Sequence, residues 1–304
     1  LQVKNGKTLL IEPGVVVDFL GNYKFYIHGL LEALGTITDS IYFTKDTTAN
    51  PNGWGGIRFV NADNASKLQY CHIEFSNSSG IYCENSSPTI TNNTITNSSG
   101  GYGGGICCES ASPAIINNTI INNSASYGGG IYNHRRSSHP IIIGNLIYYN
   151  TATNRGGIYN NFSAPSISNN TIANNSASSG GGIFDVGFSV TYHITNTTLY
   201  FNTAASASQI FSCSGITPVI SYCNIQDKDG EGVDAQDASW GVGNIDADPI
   251  FVDTASGNYR LRGISPCIDA GTPDTSGLGL PPYDLDGNPR VWDGNDDGDT
   301  IVDM

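Results

Sequence analysis

Glu84 and Glu109 occupy equivalent places in two consecutive copies of a repeated segment, each three residues after a Gly-Ile pair. On neighbouring strands of a parallel sheet their Cα atoms would lie about 4.8 Å apart. That could match the roughly 5–5.5 Å between the carboxyl groups of a retaining glycosidase. Two carboxylates so close would also raise the pKa of one of them. The bland alternatives are a solvated pair or a shared Ca²⁺. The next copy places His134 at this position, followed by Arg135 and Arg136, with His139 nearby and Arg155 one copy further on. Elimination chemistry on a polyuronide needs a cation to neutralise the carboxylate and a base to remove the C5 proton. Arg135, Arg136 or Arg155 suits the first role, and His134, Tyr132 or Tyr159 the second. The competing reading is a solvated cluster of charge.

Aromatic residues run beside these groups. The position next to the isoleucine reads Arg58, Tyr82, Cys107, Tyr132, Tyr159, Phe184 and Phe211 through successive copies, and the preceding loops add Tyr102 and Tyr127. With Ile81 and Cys83 pointing inward, Tyr82 and Glu84 point outward. An exposed stack of rings edged by polar groups suits sugars, whose apolar faces rest on aromatic surfaces. Tyr82, Tyr102, Tyr127, Tyr132, Tyr159, Phe184 and Arg136 are therefore expected to bind substrate. Simple stacking of aromatics across strands would give the same column without a ligand.

Oxygen-bearing side chains alternate in Asp293-Gly-Asn295-Asp-Asp297-Gly298-Asp299, which matches the first half of a calcium loop. Position twelve is Met304 instead of Glu, so the segment is not an EF-hand. Asp303, or the separate Asp284, Asp286 and Asn288, would complete the shell. Calcium is the expected cofactor, with the role of ordering the end of the chain.

What positions these residues is a repeat. Ser-Pro-Thr-Ile-Thr-Asn-Asn-Thr-Ile (87–95), Ser-Pro-Ala-Ile-Ile-Asn-Asn-Thr-Ile (112–120) and Ala-Pro-Ser-Ile-Ser-Asn-Asn-Thr-Ile (164–172) are copies of one unit. Pro88 to Pro218 covers 130 residues in five turns, about 26 per turn. Three apolar columns recur, beginning Leu68–Ile90–Ile115, Ile73–Ile95–Ile120 and Ile57–Ile81–Ile106. Short β-branched runs bounded by Asn, Ser and Gly, with no 3.6-residue period, predict three strands per turn. A fixed period of this size is a solenoid, and no turn alone could bury its apolar face. The expected fold is an all-β, single-stranded right-handed parallel β-helix. Asn92, Asn117, Asn169 and Asn196, and beside them Asn93, Asn118, Asn145 and Asn170, are expected to bond to one another at the bends as asparagine ladders. The Asn-x-Ser/Thr patterns here are by-products of that composition. The expected divisions are 1–64 as wider first turns, 65–225 as regular repeats, and 226–304 as an acidic capping segment.

The net charge of −14 is uneven. Residues 1–64 carry five Lys/Arg against six Asp/Glu, and residues 65–225 carry four of each. The rest carries four against seventeen. A neutral repeat region and an acidic end argue against nucleic acid as a partner, and no apolar run is long enough to span a membrane. Seven cysteines leave at least one unpaired. Cys83 and Cys108 are expected to stack inside, and Cys213 with Cys223, or Cys223 with Cys267, could be bridged.

The opening Gly-Lys-Thr-Leu-Leu-Ile-Glu-Pro-Gly-Val-Val-Val-Asp-Phe (6–19) and Gly-Trp-Gly-Gly-Ile-Arg-Phe (53–59) resemble secreted bacterial right-handed parallel β-helix proteins of pectate-lyase-like architecture. Asp-Pro-Ile-Phe-Val-Asp (248–253), Asn-Tyr-Arg-Leu (258–261), Ser-Pro-Cys-Ile-Asp-Ala-Gly (265–271) and Asp-Leu-Asp-Gly-Asn-Pro-Arg (284–290) resemble the closing region of surface-anchored members. The resemblance implies export to the medium or cell surface and a polysaccharide partner. Lyases, hydrolases and non-catalytic adhesins all share the architecture, and no lyase signature matches residue by residue. The expectation is a polysaccharide-binding solenoid that could cleave its ligand as a lyase. A structural or adhesive solenoid is the first alternative. A hydrolase using Glu84 and Glu109 is the second.

Overall fold

The computed structural model describes residues 1–294, 298 and 300–304. Among them the chain winds as a parallel coil whose strands fall into three long sheets of ten, ten and nine strands. One turn illustrates all: Ile81–Glu84 lies in the first sheet, Thr89–Thr91 in the second and Thr94–Thr96 in the third. Each strand pairs in register with its equivalents one turn away, as Ile81 with Ile57 and Ile106. Equivalent side chains recur after 25 or 27 residues. The only helical element among the described residues is one 3₁₀ turn, Thr254–Ser256.

Every residue of the three apolar columns, from Ile57 to Ile225, is fully buried. Because strand side chains alternate, a buried isoleucine every second position drives each strand against the same narrow core. Burying one such side chain contributes about 1.5–3 kcal/mol. A fourth inward column changes character along the axis: Phe59, Cys83, Cys108, Asn133, Asn160, Asp185 and Ser212. Its polar members bond within the interior: Asn133 donates to Asn160 at 2.8 Å, and Asn160 donates to Asp185 at 2.8 Å. The seven cysteines are free, so neither Cys213–Cys223 nor Cys223–Cys267 is bridged.

The corner between the second and third sheets is a single left-handed residue. Asn92, Asn117, Asn169 and Asn196 have φ between 49° and 56°, a conformation asparagine tolerates better than most residues. The next residue turns its amide inward. Asn93 donates to Asn118 at 3.0 Å, Asn118 to Asn145 at 3.1 Å and Asn145 to Asn170 at 3.0 Å. A second buried stack, Asn123, Asn150, Asn175 and Asn202, runs along the far end of the third sheet. The left-handed asparagines behave differently from the expectation that they bond to one another. Only Asn196 and Asn169 are joined, at 3.4 Å. The left-handed backbone turns these amides outward, and the C-terminal segment bonds to those of Asn117, Asn169 and Asn196.

That segment does more than cap. Val233–Ala235 and Ser239–Trp240 extend the first and second sheets, so the coil continues past residue 225. The described residues from 248 onward then run back along the flank. Asn117 donates to the Tyr283 carbonyl at 3.0 Å, and Asn174 to the Tyr259 hydroxyl at 2.6 Å. Tyr259 packs edge-on to Tyr148 with ring centroids 4.9 Å apart. The first residues are likewise part of the same coil, widened by the loop between Lys45 and Ile57.

Candidate functional site

Three short strands, Ser99–Tyr102, Ser124–Tyr127 and Thr151–Arg155, form a separate parallel sheet outside the first one. Each is followed by glycines that reverse the chain into the next strand of the first sheet. At Gly103, φ is +56° and a Cβ would meet the Ile106 carbonyl at 2.2 Å, so only glycine makes this turn. The resulting strap lies over the outward aromatic column. Tyr102 stacks on Tyr127 at 5.4 Å and tilts against Tyr132 at 5.0 Å. Tyr127 covers Tyr159 at 5.9 Å, and the Arg155 guanidinium sits 4.7 Å over the Phe184 ring.

The strap corrects one part of the expected binding strip. Tyr132, Tyr159 and Phe184 are only 4–5% exposed and form a second apolar core with Cys107. Tyr132 and Tyr159 still line the floor of the groove, but the rings most open to a ligand are at the rim: Tyr102, Tyr127 and Tyr82. Between strap and sheet lies a groove of about 610 Å³ whose lining includes Tyr82, Tyr102, Tyr127, Glu109, His134 and Arg155. Most of the residues singled out from sequence thus converge. Glu84, Arg135, Arg136 and Phe184 do not line the groove, and Arg136 is exposed beside it.

Glu109 is the electrostatic centre. Its Oε1 accepts from Arg135 Nη2 at 2.9 Å and Nε at 3.2 Å, and its Oε2 accepts from the Tyr82 hydroxyl at 2.9 Å. Burial pushes this carboxyl up, but the hydrogen bonds from Arg135 and Tyr82 outweigh it and hold Glu109 below the usual carboxylate range. The upward shift expected from a neighbouring carboxylate is therefore reversed here, and Glu109 stays ionised. His134 Nδ1 lies 3.9 Å from Glu109 Oε1. Burial lowers the His134 imidazole, beyond what Glu109 restores, so it is neutral at pH 7. Tyr132 and Tyr159 are both raised, chiefly by burial, and remain protonated.

Six lining residues were not singled out as site residues: Arg58, Cys107, Asn161, Ser78, Ser79 and Gly101. Arg58 and Asn161 belong to the outward columns and carried that much signal. The serines precede Gly80 in a loop whose course the sequence does not fix.

The described residues of the expected metal site are engaged in other contacts. Asp286 is held by Arg260, with Nε at 2.7 Å, and Asp284 Oδ1 accepts the backbone N–H of Asp286 and Asn288 at 2.9 and 2.8 Å. Asp293 Oδ2 accepts the Gly298 N–H at 2.9 Å. Asn295, Asp297 and Asp299 lie outside the described residues. Among the described residues no group of three His, Cys, Asp or Glu is arranged to hold a metal ion.

Three parallel sheets wound around a column of isoleucines, with one outward groove edged by tyrosines, define a solenoid of the parallel β-helix class. Residues 34–204 match the family model described as the right handed beta helix region, and the chain belongs to that family. A comparison with curated proteins gives no match. No helix among the described residues is long and apolar enough to cross a membrane.

Proposed function

We propose that this protein binds an extracellular polysaccharide along the groove between strap and first sheet. The observation that carries the reading is the Tyr102–Tyr127 stack on the rim, facing Tyr82, Glu109 and His134 across the groove. Aromatic faces bind the apolar faces of sugars, and flanking polar groups bind hydroxyls. Such polymers lie outside the cell, which agrees with the resemblance to secreted and surface-anchored solenoids. The same geometry serves an adhesin that holds a glycan without altering it.

A second reading, cleavage by β-elimination, is favoured by one specific observation. His134 is a neutral imidazole in a groove that also presents the Arg155 guanidinium. Arg155 would neutralise a uronate carboxylate while His134 accepts the C5 proton; the electron pair of that C–H bond forms the C4–C5 double bond, and the C4–oxygen bond breaks with its pair going to the oxygen, which takes a proton from water. Hydrolysis by Glu84 and Glu109 is disfavoured, because a retaining mechanism needs both carboxyl groups at the scissile bond and Glu84 does not line the groove.

Calcium is proposed only for the loop around Asp293, to order it against the flank. Incubation with pectin, alginate, glycosaminoglycans and neutral glycans, with and without Ca²⁺, tests the catalytic reading. Ultraviolet absorbance rising together with reducing ends indicates elimination. Reducing ends alone indicate hydrolysis and contradict elimination. Binding without either signal indicates an adhesin.

A further inference from the structure

Arg58 is 7% exposed and lines the groove at its N-terminal end. Among the described residues it makes no ion pair. Its Nε donates to the Gly55 carbonyl at 2.9 Å, its Nη2 donates to Ser78 Oγ, and its guanidinium lies 4.9 Å from the Tyr82 ring centre. A guanidinium has five N–H donors, and these two bonds leave the others without a protein acceptor. Burying a cation without a counter-charge is unfavourable. Arg155, at the other end of the groove, has the same character. Its Nη1 donates to the Tyr159 hydroxyl at 3.2 Å, and it has no carboxylate partner among the described residues. Arg135, outside the groove, is by contrast neutralised by Glu109 at 2.9 Å. That pairing also cancels the charge of Glu109, the one carboxylate lining the groove, so the lining as a whole is cationic.

We propose that Arg58 is an anion-binding subsite, and that the ligand is an acidic glycan long enough to engage Arg58 and Arg155 at once. The inference rests on the glycan-binding reading of the groove and names the class of glycan. Arg58, Tyr82, Cys107, Tyr132 and Tyr159 are successive partners across five strands, and Arg155 lies on the turn of Tyr159. Four strand spacings of about 4.8 Å separate the two arginines, roughly 19 Å or about four sugar residues. The planar fork of each arginine suits a carboxylate or sulfate on such sugars.

The test is calorimetric titration of the whole protein with oligogalacturonides of two to six residues, their methyl esters, and chondroitin sulfate oligosaccharides. Affinity is expected to step up at four to five residues for acidic oligosaccharides and to fall about tenfold or more on esterification. Arg58→Gln is expected to remove the step, so that longer acidic oligomers bind no more tightly than the shortest ones. If Arg58→Gln does not fold, Arg155→Gln must remove the same step. Comparison of the carboxylated and sulfated arms identifies the anion. Equal affinity for acid and ester, or no dependence on length, overturns the inference while the glycan reading stands. Absence of binding by every oligosaccharide and by neutral glycans overturns both.

Discussion

The Tyr82 hydroxyl lies 2.9 Å from Glu109 Oε2 and 3.2 Å from Glu84 Oε2, joining two carboxylates on adjacent turns. A hydroxyl has one proton to donate, and the bond to Glu109 is the shorter. Together with Arg135 it keeps Glu109 ionised at the edge of the groove. Tyr82→Phe is expected to raise the Glu109 pKa, because a hydrogen bond to the charged form is lost. Carboxyl carbon NMR titration of wild type and variant reads this directly. An unchanged Glu109 titration would mean that Arg135 alone sets its charge.

The sign for stability follows. A carboxylate with a depressed folded pKa stabilises the fold above its unfolded pKa and loses that contribution as pH falls through the folded value. Glu109→Gln should therefore cost stability at pH 7 and cost none in strong acid. The pair is partly exposed, so the loss at pH 7 should be small, about 1 kcal/mol or less. Denaturant melts of both proteins at the two pH values check it.

Asp185 has the opposite sign. It is fully buried, accepts from Tyr192 at 2.8 Å, Ser212 at 2.5 Å and Asn160 at 2.8 Å, and burial raises its pKa to about 6 from an ordinary 3.8. The folded protein thus takes up a proton that the unfolded chain does not, and stability rises as pH falls from above 6 towards 4. The gain from this group is about 3 kcal/mol. Asp185→Asn keeps the interior amide column, removes that slope and should be at least as stable as wild type at pH 8. A wild-type stability that falls between pH 7 and 5 relative to the variant would contradict this.

Asn145 joins five groups in the buried corner. Its amide nitrogen shares two protons among Ile115 O, Ile143 O and Asn170 Oδ1, and its Oδ1 accepts both the backbone N–H and side-chain amide of Asn118. Ile143 O keeps the Asn117 N–H, Asn170 Oδ1 keeps the backbone N–H of residue 145, and the Asn118 amide keeps Ile90 O. Asn145→Ala therefore strands chiefly the buried Asn118 backbone N–H, at about 1–3 kcal/mol before relaxation and water entry. The expected loss is about 1–3 kcal/mol, read by chemical denaturation. A loss under about 1 kcal/mol would show that water replaces the amide.

The coil was legible because its core is one apolar residue type at a fixed period, and register follows from period. The same logic placed Glu84, Glu109 and His134 on one column, as they are. The strap was not legible. Ser99–Tyr102 is mostly glycine and serine and lacks the β-branched residues that mark a strand. It is held by pairing with its own equivalents and by Tyr102 resting on Tyr132, so the burial of Tyr132, Tyr159 and Phe184 could not be anticipated. The return of the C-terminal segment was hidden for a related reason. It depends on Asn117 and Asn169 turning outward, which their left-handed backbone decides and their residue type does not.

The account stands on the groove as a polysaccharide site, and the most direct test removes its exposed rings. Binding of the wild-type protein and the Tyr102→Ala/Tyr127→Ala double variant to a panel of immobilised extracellular polysaccharides should be compared, with melting temperatures alongside. The account predicts that wild type binds at least one polymer and that the double variant, still folded, binds it about tenfold or more weakly. A folded double variant with undiminished binding, or a wild-type protein that binds nothing on the panel, would contradict it.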